Sequence, residues 1–484
     1  MLDLLLVNPP DDYGALGQFA AVEPPLWCAL LATHARGRGG CSVAILDANA
    51  EGLGVQETAK RIAEVAPLLC AIIVLGHSPS VSSTPKMTAV IELVKALRLM
   101  LFSREIVIGG LHPSALPERT LRETGVHFVC QGEGFETIDK LLRNFKRESY
   151  KEPIIPGLWW CMGDATIFGG KARPVDAGTL SMAAWDLLPM RKYRAHNWHC
   201  LDRLDRRSPY AVLWTSLGCP YQCSFCNVAL MYGGRGIRYR DPVEVANEVD
   251  YLASQGVHNI KIMDEMFALK PERVVEVCTA IASLGYDLNI WAYGRADRCE
   301  IEMLKAMRAA GIRWLCIGFE SAVELVRQGV SKKFLQEDMQ SAVERCHEAG
   351  INVLGNFIFG LPDDDMETMR ETLETAKGLG LDWANFYLAM PYPGSELYEQ
   401  AVRDKAKLPK RWADWGQYSP NIKPLPTKHV SGEAVRRFRD GAFEEFFNDE
   451  AFLKRVEGKF GVKAREHVEE ILKIKITRRR LWTT

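Results

Sequence analysis

Three cysteines on one short segment are the residues whose types and spacing could do chemistry. Cys219, Cys223 and Cys226 stand at C-x3-C-x2-C, with the aromatic Phe225 just before the last. Three thiolates on one loop can hold three irons of a 4Fe–4S cluster. Such clusters normally have four thiolate ligands, so the fourth iron is left open for chemistry. The alternative is a zinc site, which needs four nitrogen or sulfur ligands, and His199 or Cys200 could supply the fourth.

The bulk composition of the chain is that of a large enzyme. Its 484 residues carry 60 Lys and Arg against 61 Asp and Glu, which argues against a nucleic-acid-binding protein, because such proteins usually show a basic excess. No apolar stretch reaches the roughly 18–20 residues of a membrane span, and the first residues lack the pattern of a signal peptide. The 13 cysteines are scattered and odd in number, which indicates reduced thiols. We therefore expect a cytoplasmic protein.

Short apolar runs alternate with helix-like stretches over the first third of the chain. Five β/α repeats of this kind predict a doubly wound parallel sheet. We assign residues 1–145 to this Rossmann-like domain, whose ligands should bind beyond the carboxyl ends of its strands. The predicted strands lie at 4–7, 43–46, 71–75, 105–108 and 127–130, and the predicted helices at 26–36, 55–65, 86–101 and 135–145.

Small and polar residues follow each of these strands. Glycines there let the backbone approach a ligand closely, and small hydroxyl side chains can form hydrogen bonds to it. No G-x-G-x-x-G follows the first strand, which argues against a dinucleotide. A generic Rossmann-like domain with another nucleotide, or with no ligand, is the alternative. The candidate binding residues are Asn8, Asp47, Asn49, Ser78, Ser80, Thr84, Gly109, Gly110, His112, Gly132, Glu133 and Gly134.

A connector rich in Pro, Gly and Trp follows at residues 146–208. Its composition predicts a loop with packed aromatic residues. We expect it to clasp the neighbouring domains together, and a position over the active site is the alternative.

A second β/α series of six repeats begins after the connector. It predicts an open (β/α)6 barrel over residues 209–400, with its chemistry at the carboxyl ends of the strands. Residues 401–484 have a helical, amphipathic pattern and are expected to close the open side of the barrel. The predicted barrel strands lie at 211–216, 259–264, 288–294, 313–319, 352–359 and 383–390.

The cysteine segment directly follows the first barrel strand, and later strands also end in charged or polar residues. A single charged residue at a strand end is usually a solvated surface group, but the order and spacing of these ends together indicate one site. The candidate residues at these ends are Asp264, Glu265, Arg295, Glu320, Ser321 and Asn356.

Together these motifs resemble a known family. The cysteine segment resembles the radical S-adenosylmethionine (radical SAM) superfamily. Gly109-Gly110-x-His112-Pro113 and Gly132-Glu133-Gly134 resemble the cobalamin-binding domain found ahead of radical SAM domains. The chain is thus similar to cobalamin-dependent radical SAM enzymes of the class B methyltransferase type. The resemblance implies three cofactors: a 4Fe–4S cluster on the three cysteines, S-adenosylmethionine (SAM) on its open iron, and cobalamin on the first domain.

The resemblance also implies roles for the residues at the strand ends. The Asp264–Glu265 pair stands where many members carry Gly-Gly-Glu, which accepts a hydrogen bond from the methionyl ammonium of SAM. Arg295 could pair with the methionyl carboxylate, because a guanidinium fork matches a carboxylate. The other residues that match positions lining SAM in the family are Phe225, Glu320, Ser321 and Asn356.

One departure from the family pattern concerns cobalt. Many cobalamin domains carry D-x-H-x-x-G, whose histidine ligates cobalt from below. Asn49 replaces that histidine in the stretch from Asp47 to Gly52. We therefore expect cobalt to lack a histidine lower ligand, which suits methyl transfer to a radical.

The resemblance implies methylation of an unactivated carbon in a small-molecule substrate, such as an intermediate of natural-product biosynthesis. One SAM would methylate cobalamin, and a second would give the 5′-deoxyadenosyl radical with an electron from a flavodoxin- or ferredoxin-type donor. The cofactors carry the hard chemistry, and the protein fixes distances and excludes water. The alternatives are radical cyclisation, ring contraction, methylation of phosphorus, and a cobalamin-binding sensor with a structural metal site.

Overall fold

A computed structural model of the protein describes residues 1–11, 17–146 and 154–474. Residues 147–153 of the predicted connector and 475–484 of the predicted C-terminal region lie outside the described residues. The strands of the described chain are β1 Leu4–Asn8, β2 Val43–Asp47, β3 Leu69–Val74, β4 Glu105–Gly110, β5 Phe128–Cys130, β6 Leu158–Met162, β7 Ala165–Phe168, β8 Tyr210–Leu213, β9 Ser216–Leu217, β10 Arg238–Tyr239, β11 Asn259–Ile262, β12 Asn289–Gly294, β13 Ile312–Glu320, β14 Asn352–Phe359 and β15 Trp383–Leu388.

The helices of the described chain cover the faces of two large sheets. They are α1 Leu26–Gly39, α2 Ala48–Glu51, α3 Val55–Val65, α4 Pro79–Ser82, α5 Met87–Leu99, α6 Leu111–Ala115, α7 Pro117–Thr124, α8 Phe135–Lys146, α9 Pro242–Ser254, α10 Pro271–Ala282, α11 Ile301–Ala309, α12 Glu324–Gly329, α13 Gln336–Glu348, α14 Met366–Gly378, α15 Glu396–Arg403, α16 Gly432–Phe447, α17 Glu450–Phe460 and α18 Val462–Leu472.

The first sheet has the strand order β2-β1-β3-β4-β5-β6-β7. Its first five strands pair in parallel, and β1 and β3 are buried throughout because every residue in them packs against helices or neighbouring strands. The predicted doubly wound sheet with its five strands is therefore confirmed. The strand order reverses direction at β1, and such a reversal opens a ligand crevice at the carboxyl ends of the strands.

A hairpin from the connector extends this sheet beyond the predicted strands. Strands β6 and β7 pair antiparallel to each other and to β5, and the rings of Trp159 and Phe168 stack with centroids 4.5 Å apart across the hairpin. The loop prediction for these residues was wrong, because cross-strand aromatic packing supplies the stability that the local composition does not indicate.

The second sheet has the order β15-β14-β13-β12-β11-β8, so its six parallel strands follow one another in chain order. The predicted open (β/α)6 barrel is confirmed. The two-stranded ribbon of β9 and β10 lies beside it, directly before and after the cysteine segment.

The C-terminal helices pack against the last barrel strand. Phe447 of α16 contacts Trp383 of β15, with centroids 4.7 Å apart, and Phe460 of α17 stacks on Trp314 of β13 at 5.7 Å. The predicted helical region is thus present over α16 to α18. In the described ranges, the helices are all too short or too polar to qualify as membrane-spanning.

Candidate active site

The three cysteines lie on the loop that leaves the first barrel strand and its short extension β9. The loop is held by backbone hydrogen bonds: the Cys226 amide donates to Cys223 O at 3.0 Å, Ser224 N to Val330 O at 3.1 Å, and Gly236 N to Cys219 O at 3.2 Å. Each cysteine is partly exposed. All three side chains line one cavity of about 570 Å³. The cysteine loop therefore has a fixed backbone and an accessible sulfur-lined face.

The cysteine loop carries the predicted ligands of the 4Fe–4S cluster. In the part of the chain that the structure describes, no three His, Cys, Asp or Glu side chains converge closely enough to hold one metal ion. In a 4Fe–4S cluster each thiolate binds a different iron, so its ligands stand further apart than those of a zinc ion. Burial raises the pKa of Cys219 to about 11, so cluster assembly must release a proton from this thiol. Assignment of the three cysteines as cluster ligands stays a prediction.

His199 and Cys200, the candidates for a fourth zinc ligand, lie at the opposite end of the barrel. The Asn289 side chain, at the first residue of β12, donates to His199 O at 3.0 Å, and Cys200 Sγ donates to Asn259 Oδ1, at the first residue of β11, at 3.5 Å. The cysteine loop follows the carboxyl end of β8, which is parallel to β11. The length of the sheet thus separates His199 and Cys200 from the cysteine loop. This separation argues against the zinc alternative.

Asp264 and Glu265 follow the carboxyl end of β11 but have different surroundings. Asp264 is buried, and its oxygens accept three hydrogen bonds of 2.6 Å, from the Thr215 amide, the Thr215 hydroxyl and the Ser216 hydroxyl. Glu265 is half-buried and accepts one long bond from the Tyr232 hydroxyl, at 3.4 Å. Burial raises the pKa of Glu265 to about 7. Of the pair, Glu265 keeps acceptor capacity for a SAM ammonium, whereas Asp264 ties two strand ends together.

Arg295 follows β12 and supports the cysteine loop. Its guanidinium lies 4.2 Å from the centre of the Tyr221 ring, within that loop. It also donates to Asp297 Oδ1 at 2.8 Å and to the backbone oxygen of Lys333. The structure therefore already supplies a carboxylate partner for Arg295, with which a methionyl carboxylate would have to compete.

Glu320 and Lys332 form a buried ion pair beside the cysteines, with Lys332 Nζ 2.9 Å from Glu320 Oε1. Glu320 ends β13 with φ +65°, a conformation that costs energy in a residue with a side chain. Burial opposes the charge on Lys332, but attraction by Glu320 and Cys223 outweighs it and raises the pKa of Lys332. Sequence analysis missed Lys332, although a lysine pair bounded by Val330 and Phe334 was a usable signal.

The remaining predicted SAM residues lie close to these strand ends. Ser321 is fully buried, and its hydroxyl is 3.1 Å from that of Thr372. Asn356 donates to Cys316 Sγ at 3.0 Å and accepts from Asn385 at 3.1 Å, so it bridges three neighbouring strands. Phe225 is partly buried against a small apolar cluster that includes Val330 and Leu361. The structure brings the predicted SAM residues to one end of the barrel, and their individual roles stay predictions.

The carboxyl ends of β1 and β2 carry a buried polar network. Asp47 accepts from the Asn8 amide at 2.8 Å and from the Tyr193 hydroxyl at 2.9 Å. Lys86 donates to Asn8 Oδ1 at 3.2 Å. Asn49, which replaces the expected histidine, is half-buried and lines a cavity together with Asn8 and Lys86. Asp47 therefore anchors the loop that carries Asn49.

The hydroxyl groups after β3 form hydrogen bonds within their own loop and to the segment that follows β4. The Ser82 hydroxyl accepts from the Ser78 amide at 3.0 Å and donates to Ser78 O at 2.9 Å. Thr84 is buried, and its hydroxyl is 3.2 Å from His112 Nδ1. Ser80 is half-buried. The ring of Trp412, from the C-terminal region, covers His112 with centroids 4.5 Å apart, and burial lowers the pKa of His112 to about 3.

The predicted glycines differ in what a side chain at each position would meet. Gly110 has φ +113°, and a Cβ atom there would lie 2.3 Å from Val74 O, so strand packing alone demands glycine. Gly109 packs on Cys130. Gly132 and Gly134 also have positive φ, but a Cβ at Gly132 would meet only Met231 O, at 3.8 Å. The backbone at Gly132 therefore faces open space, as a glycine cradle for a flat ligand would.

Glu133 links the first domain to the connector and to strand β10. It pairs with Arg238 of β10 and accepts from the Val175 amide at 2.6 Å, while its own backbone oxygen accepts from Trp27 at 2.9 Å. Glu133 and the neighbouring glycines line the same cavity of about 570 Å³ as the cluster cysteines. The predicted cobalamin loop and the predicted cluster loop thus share one space.

A second contact between the domains crosses the barrel interior. Lys261 of β11 lies 3.1 Å from Glu23 Oε2, and it donates to His77 O at 2.6 Å. Glu23 and His77 line a cavity of about 40 Å³ between the carboxyl ends of the two sheets. A corrin needs far more room, so the surfaces around this cavity must move apart to admit one. A lysine inside a short buried strand was a sequence signal for Lys261 itself, but not for its partner Glu23.

Two sequence families match separate parts of the chain. The Radical SAM superfamily matches residues 215–376. The B12 binding domain matches residues 14–142. The matched ranges contain the cysteine loop and the glycine-lined strand ends, respectively.

Individual relatives match over most of the chain. An uncharacterised methyltransferase of Pyrococcus horikoshii is 28% identical over 92% of this chain and 93% of the relative. The anaerobic magnesium-protoporphyrin IX monomethyl ester cyclase of Rubrivivax gelatinosus is 24% identical over 93% of this chain and 78% of the relative. Among solved structures, the radical SAM methyltransferase TsrM of Kitasatospora setae, with cobalamin and a 4Fe–4S cluster bound, superposes with a TM-score of 0.70 at 19% identity, over 98% of this chain and 99% of that one.

Proposed function

The chain is a cobalamin-dependent radical SAM enzyme, and on that premise we propose that it methylates an unactivated carbon of a small-molecule biosynthetic intermediate. The observation that carries the proposal is that the cysteine loop and the cobalamin-domain loop at Gly132–Gly134 line one cavity. When bound, the cluster with SAM supplies hydrogen-atom abstraction, and cobalamin supplies the methyl group. The residues of this chain must therefore place a substrate carbon between the two.

On the cluster side, Cys219, Cys223 and Cys226 would hold the 4Fe–4S cluster, and Glu265 would accept a hydrogen bond from the methionyl ammonium of SAM. The Glu320–Lys332 pair lies beside Cys223 and contributes a buried charge of each sign. On the cobalamin side, Asn8, Asn49 and the glycines at 109–110 and 132–134 would hold the corrin and its tail.

Two tyrosines on the barrel strands are candidates to border the substrate. Tyr293 of β12 and Tyr387 of β15 are half-buried. Burial raises the pKa of Tyr293. Its ring packs edge-on against Trp291, with centroids 5.0 Å apart, and its centre lies 5.8 Å from Lys261 Nζ, so it is next to the contact between the two domains. A phenol kept neutral can donate a hydrogen bond to a substrate without adding charge. We infer that Tyr293 and Tyr387 border the substrate.

The interior cations already have carboxylate partners. Lys261 pairs with Glu23, Lys332 with Glu320, and Arg295 with Asp297. An anionic reacting group such as a phosphonate would need an unpaired cation. These three cations are not available to such a group unless a pair breaks, which favours carbon over phosphorus as the methylated atom.

Radical cyclisation and ring contraction use the same cofactor layout and remain the second candidates, since an anaerobic cyclase is among the relatives. A sensor with a structural metal site would need the zinc arrangement, which the separation of His199 from the cysteine loop does not support. We further propose that the enzyme is cytoplasmic, has no nucleic-acid partner, and receives electrons from a flavodoxin- or ferredoxin-type protein.

The experiment is anaerobic incubation of the reconstituted enzyme with SAM labelled with deuterium in its methyl group, together with a cell extract. Mass spectrometry should find a small molecule that carries the label, together with 5′-deoxyadenosine and S-adenosylhomocysteine. A product that has lost hydrogen but carries no label would instead establish cyclisation. Absence of both products would overturn the proposal.

A further inference from the structure

We propose that three exposed cations around the mouth of the cluster cavity form the docking surface for an acidic electron-transfer protein. The residues are Lys171, Arg173 and Arg235, and we call them the cation rim. The inference rests on the proposed function, because it locates the electron donor that radical SAM chemistry requires.

The cavity is the accessible route to the cluster ligands. Its wall contains the side chains of Cys219, Cys223 and Cys226, and each of these is partly exposed. Electron transfer needs the donor's redox group to come close to the cluster, and a protein donor that covers the mouth of this cavity would meet that need.

Within the described ranges, the side chains of the cation rim have no carboxylate partner. Over the described residues, no ion pair joins any of its three members to a carboxylate, although the backbone amide of Arg173 donates to Glu136 at 3.0 Å. Glu136 in turn lies 3.5 Å from Lys140. The exposed anion of the cavity lining is Glu396, so the exposed charges at this mouth are net positive. Unpaired exposed cations around a cleft attract an acidic partner and accelerate its association.

The surface beside the cation rim permits close approach. Gly233, Gly234 and Gly236 are exposed, and a Cβ at Gly234 or Gly236 would meet nothing within 4 Å. Leu230 next to them is 38% exposed. The exposed glycine backbone and the apolar Leu230 lie beside the three cations. A partner protein can pack closely on such a surface without steric obstruction.

The step at this surface is the transfer of one electron from the donor's reduced flavin or iron–sulfur group to the cluster on the cysteine loop. The donor is oxidised by one electron, the cluster is reduced by one electron, and no bond between the two proteins forms or breaks. Flavodoxins and ferredoxins with an acidic surface would both be attracted to the cation rim. We choose a flavodoxin as the partner for the test.

The test compares the charge-reversal variant K171E/R173E/R235E with the matched control K95E/K410E/K454E, which reverses three exposed lysines outside the cavity. The rate of 5′-deoxyadenosine formation is measured against the concentration of purified flavodoxin, kept reduced by its NADPH-dependent reductase. For the rim variant, the KM for flavodoxin should rise about tenfold or more. With dithionite, a small reductant, its rate should stay within about twofold of wild type. The control should resemble wild type with both reductants.

Equal flavodoxin KM values for the rim variant, the control and wild type would overturn the proposal. A wild-type chain that forms no 5′-deoxyadenosine even with dithionite would instead overturn the proposed function, so the two failures are distinguishable. Should the rim variant lose its cluster, carbodiimide crosslinking of the wild-type chain to flavodoxin gives an independent answer. Lys171 should be the crosslinked lysine, and crosslinks confined to Lys95, Lys410 or Lys454 would refute the docking surface.

Discussion

Glu23 of the cobalamin-binding domain and Lys261 inside the radical SAM barrel form a buried ion pair, with Lys261 Nζ 3.1 Å from Glu23 Oε2. The ammonium group also lies 4.8 Å from the centre of the Trp291 ring and donates to His77 O. Burial raises the pKa of Glu23, against the attraction of Lys261. The pair joins the two cofactor-binding units at the cavity between their strand ends, so it couples the stability of each unit to contact with the other.

Replacement of Lys261 by Met should destabilise the protein by about 3–5 kcal/mol, because it leaves the Glu23 carboxylate buried without a counter-ion. Urea unfolding followed by circular dichroism measures this change. The double variant E23Q/K261M should recover part of the loss, since it removes both charges.

The matched control for this prediction is Lys305→Met, which breaks the exposed pair with Glu302. Exposed pairs contribute little to stability because water screens them, so this variant should unfold almost as wild type does. A Lys261→Met protein that is as stable as the Lys305→Met protein would contradict the assignment of a buried pair.

The parallel strands of both sheets were predictable from the sequence because their apolar runs are short, regular and bounded by Gly, Pro or polar residues, and the cysteine spacing pointed to the cluster chemistry. Strands β6 and β7 were not predictable, because cross-strand aromatic packing stabilises them. The Glu23–Lys261 contact was not predictable, because it joins residues 238 positions apart and no local pattern encodes such a contact. Glu320 is a similar case: its positive φ depends on the surrounding strand ends, and glutamate carries no preference for that conformation.

Glu265 should control the affinity for SAM in a pH-dependent way. Burial raises its pKa to about 7, so the carboxylate that we propose accepts from the methionyl ammonium is mostly ionised at pH 8 and mostly protonated at pH 6. Affinity for SAM, measured by equilibrium dialysis on the reconstituted enzyme, should therefore fall about tenfold from pH 8 to pH 6, in proportion to the ionised fraction. Glu265→Gln should bind SAM weakly at both pH values.

Asp264→Asn is the neighbouring comparison for that experiment. Asp264 accepts three hydrogen bonds from Thr215 and Ser216, so its replacement should lower the free energy of unfolding by about 1–3 kcal/mol and leave the pH profile of SAM binding in place. An unchanged pH profile in Glu265→Gln would show that another group titrates.

The cluster cysteines should be individually essential. Cys219→Ala, Cys223→Ala and Cys226→Ala should each lose most bound iron and all 5′-deoxyadenosine formation, because two thiolates hold a 4Fe–4S cluster poorly. Iron content and the absorption spectrum after anaerobic reconstitution are the measurements. Cys200→Ala is the control, since Cys200 lies at the other end of the barrel strands, and it should keep the full spectrum. Loss of the cluster in the control would revive the zinc-type alternative.

Cobalt should have no protein nitrogen beneath it, because Asn49 stands where other cobalamin domains place histidine. Of the histidines near the strand ends, His112 is committed elsewhere, because its Nδ1 lies 3.2 Å from the Thr84 hydroxyl and Trp412 packs on its ring. Paramagnetic resonance of the Co(II) form of the loaded protein is the direct test, because an axial nitrogen splits the cobalt lines into triplets. We expect unsplit lines, unchanged in His77→Ala and His112→Ala. Triplets that persist in both variants would place the benzimidazole tail beneath cobalt, and triplets abolished by one variant would identify that histidine as the ligand.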